Sequence, residues 1–198
     1  MSQESTLSAD IQNFLNRLRQ HCGSSPNDMP SSPGIRAVLR RGASDGTRHL
    51  AYQAIRQCGG HIARANGDPD PSWVAVGAAF AYYPQPTATS NLNFGTTCFH
   101  LAKNPKTGKR EEKSSFDARF RRVLAAESAA DLAKWIVQIA RRARTAKPKP
   151  APLNYQELLE AMLRWDAHDR SLRERIRARW ASAYWDDRPA EDNESEDL

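Results

Sequence analysis

Ser115-Phe-Asp-Ala-Arg-Phe-Arg-Arg-Val-Leu124 and Ser128-Ala-Ala-Asp-Leu-Ala-Lys-Trp-Ile-Val-Gln-Ile-Ala-Arg-Arg142 decide the fold class. At about 100° per residue, Phe116, Phe120, Val123 and Leu124 fall within one narrow arc of a helix. Leu132, Trp135, Ile136 and Ile139 do the same in the second run. Each run opens on a serine that can cap it, and Asp131 stands three residues after Ser128, as in a capping box. No stretch of the chain shows sustained period-two alternation rich in Val, Ile and Thr, so no strand is expected.

The same reading extends to both ends. Ser8 reads as an N-cap, with Ile11, Phe14, Leu15 and Leu18 on one face after it. Residues 23–33 form a polar loop, and residues 35–41 a short helix stopped by Gly42. A further helix covers 46–57 and ends at Gly59-Gly60. After a turn-rich stretch at 66–71, Ser72 caps a helix with Trp73, Val76, Phe80 and Tyr83 on its apolar side, broken by Pro84 and Pro86. Residues 95–102 make a short helix. Beyond the proline-rich connector 147–152, Asn154 caps a helix carrying Leu158, Leu159, Met162 and Trp165. The last helix covers 169–185 and buries Leu172, Ile176 and Trp180. The predicted fold is all-α: two small helical bundles, 1–105 and 115–186, joined by an irregular loop, with residues 187–198 as a disordered acidic tail.

Charge gives the first functional pointer. Among 198 residues there are 29 basic side chains, 22 of them arginine, and the net charge is +6. Residues 186–198 hold seven acids against the single base Arg188, so residues 1–185 carry 28 bases against 16 acids, or +12. Arginine's planar, permanently charged fork suits phosphate oxygens better than a lysine point charge does. Many arginines here sit inside apolar-periodic helices, among them the doublets Arg40-Arg41, Arg121-Arg122 and Arg141-Arg142. That pattern reads as a binder of nucleic-acid backbone. Its plain alternative is a set of solvated surface arginines in an Arg- and Ala-rich composition.

On the helix from Ser115, Arg119 lies on one flank of the apolar arc and Arg121 on the other, while Arg122 points away. A flanking arginine packs its stem on the core and fixes its head at the rim, so Arg119 is the most preorganised of the three. A rim ion pair with Glu127 or Asp131 is the competing role for it. On the next helix Lys134, Gln138 and Arg141 fall at i, i+4 and i+7, and Arg142 and Arg144 extend the basic end. Cations there answer the helix dipole, but that role accounts for only one or two of them. The nucleic-acid-binding candidates are Arg40, Arg41, Arg119, Arg121, Arg122, Lys134, Arg141 and Arg142. In the last helix Arg170, Arg173, Arg175, Arg177 and Arg179 are scattered round the axis, as on a solvated surface paired with Glu174.

Other chemistries find little support. Cys58-Gly-Gly-His61 and the pair Cys98 and His100 do not make two well-spaced zinc-binding turns, so no metal or cofactor is expected. No GxSxG, P-loop, HExxH or Cys/His nucleophile pattern occurs, and the chain reads as no enzyme. Tyr52, Trp73, Tyr82 and Tyr83 read as core aromatics. No run of about 18 apolar residues and no signal-peptide pattern occur, and three widely spaced cysteines do not form a disulfide framework. A reduced, cytoplasmic setting with no membrane contact is the expectation.

Four stretches, in order, resemble the CasB family, the small subunit of the type I-E CRISPR surveillance complex Cascade. They are Ile35-Arg-Ala-Val-Leu-Arg-Arg-Gly42; Asn93-Phe-Gly95 leading into a short helix; Phe116 to Leu124 followed by Ser128-Ala-Ala-Asp-Leu132; and Leu153-Asn-Tyr155 running to Met162-Leu-Arg-Trp165, with Arg179-Trp180 near Tyr184-Trp185. The resemblance implies two helical bundles without enzymatic activity. It implies CRISPR RNA and target DNA as partners, the large subunit and backbone subunits as neighbours, and a second copy of the chain beside the first. Family members help hold the guide RNA–target heteroduplex and the displaced strand. Arg40, Arg41 and Arg119 correspond to basic residues of the matched stretches; the remaining candidates rest on helix geometry. The loop at 103–114 and the acidic tail depart from the family pattern. Two other classes compete. A free-standing helical DNA-binding regulator would need base-reading Asn or Gln on a recognition helix, which these helices offer sparsely. A protein–protein adaptor would meet an acidic partner on the basic face.

Overall fold

The computed structural model describes residues 2–25, 27–61, 70–85, 92–103, 107, 115–166 and 169–185. The acidic tail, most of the 103–114 loop and residues 66–69 of the turn-rich stretch lie outside the described residues. The fold is all-α. Among the described residues the helices are α1 (Ser2–Cys22), α2 (Pro33–Arg41), α3 (Tyr52–Gln57), α4 (Pro71–Tyr82), α5 (Phe94–Ala102), α6 (Ser115–Leu124), α7 (Ala129–Thr145), α8 (Tyr155–Leu163) and α9 (Arg170–Trp185).

Helix α4 is the axis of the molecule. Its cap is Asp70, whose carboxylate accepts from the Ser72 amide at 2.7 Å, with Pro71 in the first turn. Proline suits that position because its missing N–H would be unpaired there anyway. Ser72 is therefore not the cap expected from its position, and the helix is not one-sided: every residue from Pro71 to Ala81 is buried. Ala75, Gly77, Ala78, Ala79 and Ala81 are small enough for α1, α2, α3, α7 and α8 all to pack on it. A helix apolar on all sides belongs in the centre of a core. Phe14 of α1, Leu39 of α2, Phe80 of α4, Ile136 of α7, Leu158 of α8 and Trp180 of α9 belong to one buried cluster. Helices from both sides of residues 105–115 contribute to it.

Two N-terminal boundaries differ from expectation. Helix α1 passes through Ser8, because nothing before it breaks the helix. The predicted helix over 46–57 divides into a 3-10 turn, Asp45–Ala51, and α3. Asp45-Gly46-Thr47 are weak helix formers, and a 3-10 turn accommodates them. The expected caps Ser128 and Asn154 do cap: their side chains accept from the Asp131 and Glu157 amides at 3.1 and 3.2 Å. Asp166 adds a second carboxylate at the start of α7, accepting from the Ala129 amide at 2.7 Å.

The C-terminal helices are fixed by buried aromatics with polar tips. Trp165 stacks on Trp180 at 5.5 Å and donates to the Ala126 carbonyl at 3.0 Å. Tyr184 stacks on Phe120 at 3.9 Å and donates to Asp117 at 2.6 Å, tying α9 to α6. These bonds satisfy the polar tips that the aromatic rings carry into the core. Glu157 in the first turn of α8 is less comfortable. It accepts from Trp180 Nε1 at 2.9 Å and from Arg179, yet burial pushes its carboxyl above the usual range against those favourable contacts. A raised native pKa means that the folded state binds the proton more tightly than the unfolded chain. Stability linked to Glu157 is therefore present at acid pH and lost as pH rises through the native value. Glu157→Gln should remove that dependence, so the melting temperature of the parent relative to the variant should climb as pH falls from neutrality. A constant difference across that range would show that Glu157 is not perturbed.

Candidate nucleic-acid interface

Helix α7 carries basic side chains on two flanks, and each flank meets a different neighbour. From Leu132 to Gln156 the sequence has six basic residues and no acid. On the α2–α4 flank, Arg141 Nη2 donates to the Tyr82 hydroxyl at 2.8 Å, with its guanidinium 4.5 Å from the ring centre. The same ring has the Arg40 guanidinium 5.5 Å from its centre. Tyr82, a core aromatic on the sequence reading, is instead the half-buried joint that brings Arg40 and Arg141 together. A guanidinium laid on an aromatic face gains about 0.5–1 kcal/mol at such a site and loses freedom, so it is preorganised for a further contact.

Arg40 also has a structural duty. Its Nε donates to the Ala81 carbonyl at 2.9 Å, and Arg36 Nε donates to the same oxygen at 3.2 Å. The two cations answer the negative end of α4. Arg36, only 6% exposed, is not among the sequence candidates. A signal for it exists: Arg36, Leu39 and Arg40 stand at i, i+3 and i+4 on one face of α2. Arg144, from the end of α7, joins Arg36 and Arg40 round a hollow floored by Pro30, Pro33 and Ala37. Burial first, and then the charges of Arg36 and Arg144, lower the Arg40 pKa. Three like charges held this close favour an anion between them.

Lys134, Gln138 and Arg141 line an adjacent hollow with Ala43 and Ser44, the residues that follow α2. Lys134 pairs with Asp131 at 3.4 Å, both side chains being half exposed. Arg41 is exposed at the end of α2, just before the two small residues that line this hollow.

The second flank is the seam between α7 and α6. The Arg122 guanidinium lies 5.6 Å from the Trp135 ring and that of Arg142 lies 5.5 Å from Phe116. These two pairs place α6 and α7 antiparallel. Arg122 does not point away from the fold as its own helix suggests; Trp135, at the half-buried edge of α7, supplies a ring for it to lie on. Arg119, one turn before Arg122, is exposed and joins no carboxylate among the described residues, and Asp131 takes Lys134 instead. The rim pair considered for Arg119 is therefore not formed. Arg121 lies apart, on the other side of α6, 5.7 Å from the Trp185 ring.

Three arginines of α9 serve the fold. Arg177 donates to the Ala126 carbonyl at 2.8 Å and pairs with Glu174 at 2.7 Å, Arg173 donates to the Glu127 carbonyl at 2.6 Å, and Arg179 pairs with Glu157. The cysteines are buried thiols, with Cys22 pushed up to about 12 and Cys58 to about 11, chiefly by burial. His61 of the CxxH spacing turns to Asp10 at 3.1 Å. Among the described residues no group of three His, Cys, Asp or Glu could hold a metal ion, and no helix is long and apolar enough to cross a membrane.

Comparison with known proteins bears on the fold and the family. The crystal structure of a CRISPR-associated protein of the Cse2 family from Thermus thermophilus has the same fold, with a TM-score of 0.58 at 19% identity over 89% of this chain and 97% of that one. No curated protein matches the sequence. A family model for the CRISPR-associated protein Cse2 matches residues 35–185, an interval that starts and ends with the four stretches quoted from the sequence. The chain therefore belongs to the CRISPR-associated Cse2 family, the CasB small subunits of type I-E, and is a component of a CRISPR-associated complex.

Proposed function

We propose that the chain is a non-catalytic subunit of Cascade that grips nucleic-acid backbone and so stabilises the guide RNA–target DNA heteroduplex and the displaced strand. It works in the cytoplasm beside the large subunit, the backbone subunits and a second copy of itself. The observation that carries this reading is α7: guanidinium groups on both of its flanks, seated on Tyr82, Trp135 and Phe116, along a stretch without acids. Fixed guanidinium forks suit phosphate contact, which positions a strand without reading its sequence. The two-bundle organisation, split at 105–115, is part of the same proposal.

Titration with random single-stranded and heteroduplex oligonucleotides at several salt concentrations tests it. Binding should be weak, tolerant of sequence and steeply salt-dependent. Single reversals sharpen the test. Arg41→Glu and Arg119→Glu alter exposed side chains, so the melting point should hold while affinity drops for all sequences alike. The salt slope should flatten by about one unit per variant. Arg40→Glu should do more, because it also strips a charged donor from the end of α4 at a cost of about 1–3 kcal/mol. Strong preference for one duplex site, or binding indifferent to salt, would overturn the proposal in favour of a regulator or an adaptor.

A further inference from the structure

The seven acids of residues 186–198 follow directly on Trp185, the last residue of α9. That residue is where the guanidinium of Arg121 lies, 5.7 Å from the indole ring. Arg119, Arg121 and Arg122 are all exposed on α6, Arg121 on the Trp185 side and Arg119 and Arg122 toward the α7 seam. The acid of that helix, Asp117, is buried and accepts from the Tyr184 hydroxyl at 2.6 Å. Arg142 stands across the seam, over Phe116.

We propose that the acidic segment 186–198 docks on the arginine-rich face that wraps α6 from the Trp185 side to the α7 seam, Arg121, Arg119, Arg122 and Arg142, and competes there with nucleic-acid backbone. The inference rests on the reading of that face as a backbone binder and adds its regulation. Carboxylates offer a guanidinium fork the same planar pair of oxygens that a phosphate does. Reach is ample. Thirteen residues span up to about 45 Å, whereas Arg119 and Arg122 are about 5 Å apart along α6 and neighbouring helix axes lie about 8–10 Å apart. Charge favours the contact: the segment is −6 and the remainder of the chain +12. Tethering makes it intramolecular. An effective concentration of about 1 mM against a docking constant of about 0.1 mM costs the intact chain about tenfold in affinity for a short oligonucleotide. A long, continuous polyanion held by other subunits outcompetes the segment, so the device penalises stray short nucleic acid most.

The test compares the full chain, the chain lacking 186–198, and a full-length variant with the seven acids changed to Asn and Gln. The last guards against any loss of folding on deletion. Phenylglyoxal labels guanidinium groups, and mass spectrometry reads each arginine separately. At low salt and without nucleic acid, Arg119, Arg121, Arg122 and Arg142 should be protected in the full chain and reactive in both variants, with Arg41 unchanged as the control. Both variants should also bind a random single-stranded oligonucleotide about tenfold more tightly. Their salt slope should steepen by up to about three, as four arginines are released at about 0.7 each. Equal labelling in all three proteins overturns the docking whatever the affinities are. Protection without a change in affinity overturns the competition. If none of the three proteins binds nucleic acid in a salt-dependent way, the backbone-binding function fails and the competition with it, while the labelling still reports the docking by itself.

Discussion

On the proposed function, reversing Arg122, Arg141 and Arg142 together to Glu is expected to abolish measurable binding of the isolated chain to random oligonucleotides and to weaken the grip of the assembled complex on the displaced strand. Each of the three guanidinium groups is exposed at its edge and laid on an aromatic ring: Trp135, Tyr82 and Phe116. Removing one charge-assisted contact costs about 1.5–3 kcal/mol where it is fully made, and tenfold in affinity corresponds to about 1.4 kcal/mol. Three sites on the two flanks of α7 therefore give a loss of roughly a thousandfold at low salt. The salt slope should flatten by about two units for a single strand. Stability should change far less, since each stacked pair contributes only about 0.5–1 kcal/mol at an exposed site. Circular dichroism and thermal melting of the same protein check that the fold survives. Parental affinity and parental slope in the triple variant would place the interface elsewhere on the molecule. A partial version separates the flanks: Arg141→Glu alone addresses the α2–α4 side, and Arg122→Glu with Arg142→Glu the α6 seam.

Much of the fold is legible in the sequence because periodicity reports local environment. Helices α6, α7 and α8 each bury one arc, so their apolar positions recur at helical spacing. Ser128 and Asn154 satisfy first-turn amides as their positions imply. Helix α4 reads wrongly as one-sided. An alanine on a helix looks the same in sequence whether it meets solvent or a neighbouring helix, and here several helices converge on those alanines. The arginine site is legible as a set and illegible as an arrangement. Arg40 and Arg141 are about a hundred residues apart in the chain and meet only through Tyr82, which tertiary packing puts between them. Arg122 belongs to solvent as far as its own helix can tell; the ring beneath it comes from the next one. Burial of Arg36 is equally hidden, because its partner is a carbonyl at the end of α4, 45 residues on.

Gly95→Ala should be among the most damaging small substitutions in the chain, and it connects the core to the interface. A methyl group built on Gly95 comes 2.1 Å from the Trp180 carbonyl oxygen and 2.9 Å from its carbonyl carbon. No rotamer change relieves a clash with backbone, so α5 and α9 must part. Overpacking of this kind costs about 1–3 kcal/mol where side chains can give way, and here the upper end applies. The helix preference of alanine over glycine returns at most about 1 kcal/mol. A net loss of about 2–3 kcal/mol lowers the melting temperature of a domain this size by about 6–10 °C. Gly34→Ala supplies the control, because nothing lies within 4 Å of its added methyl, and it should melt at or slightly above the parent. The damage at Gly95 should spread to nucleic-acid binding by a traceable route. Trp180 holds Glu157 and stacks on Trp165, and Tyr184 one turn later holds Asp117 of α6. Shifting α9 therefore loosens the helix that presents Arg119, Arg121 and Arg122, and affinity should drop with no arginine touched. A Gly95→Ala protein that melts with the parent would mean that α5 and α9 do not approach this closely, and the placement of α6 that depends on α9 would have to be redrawn.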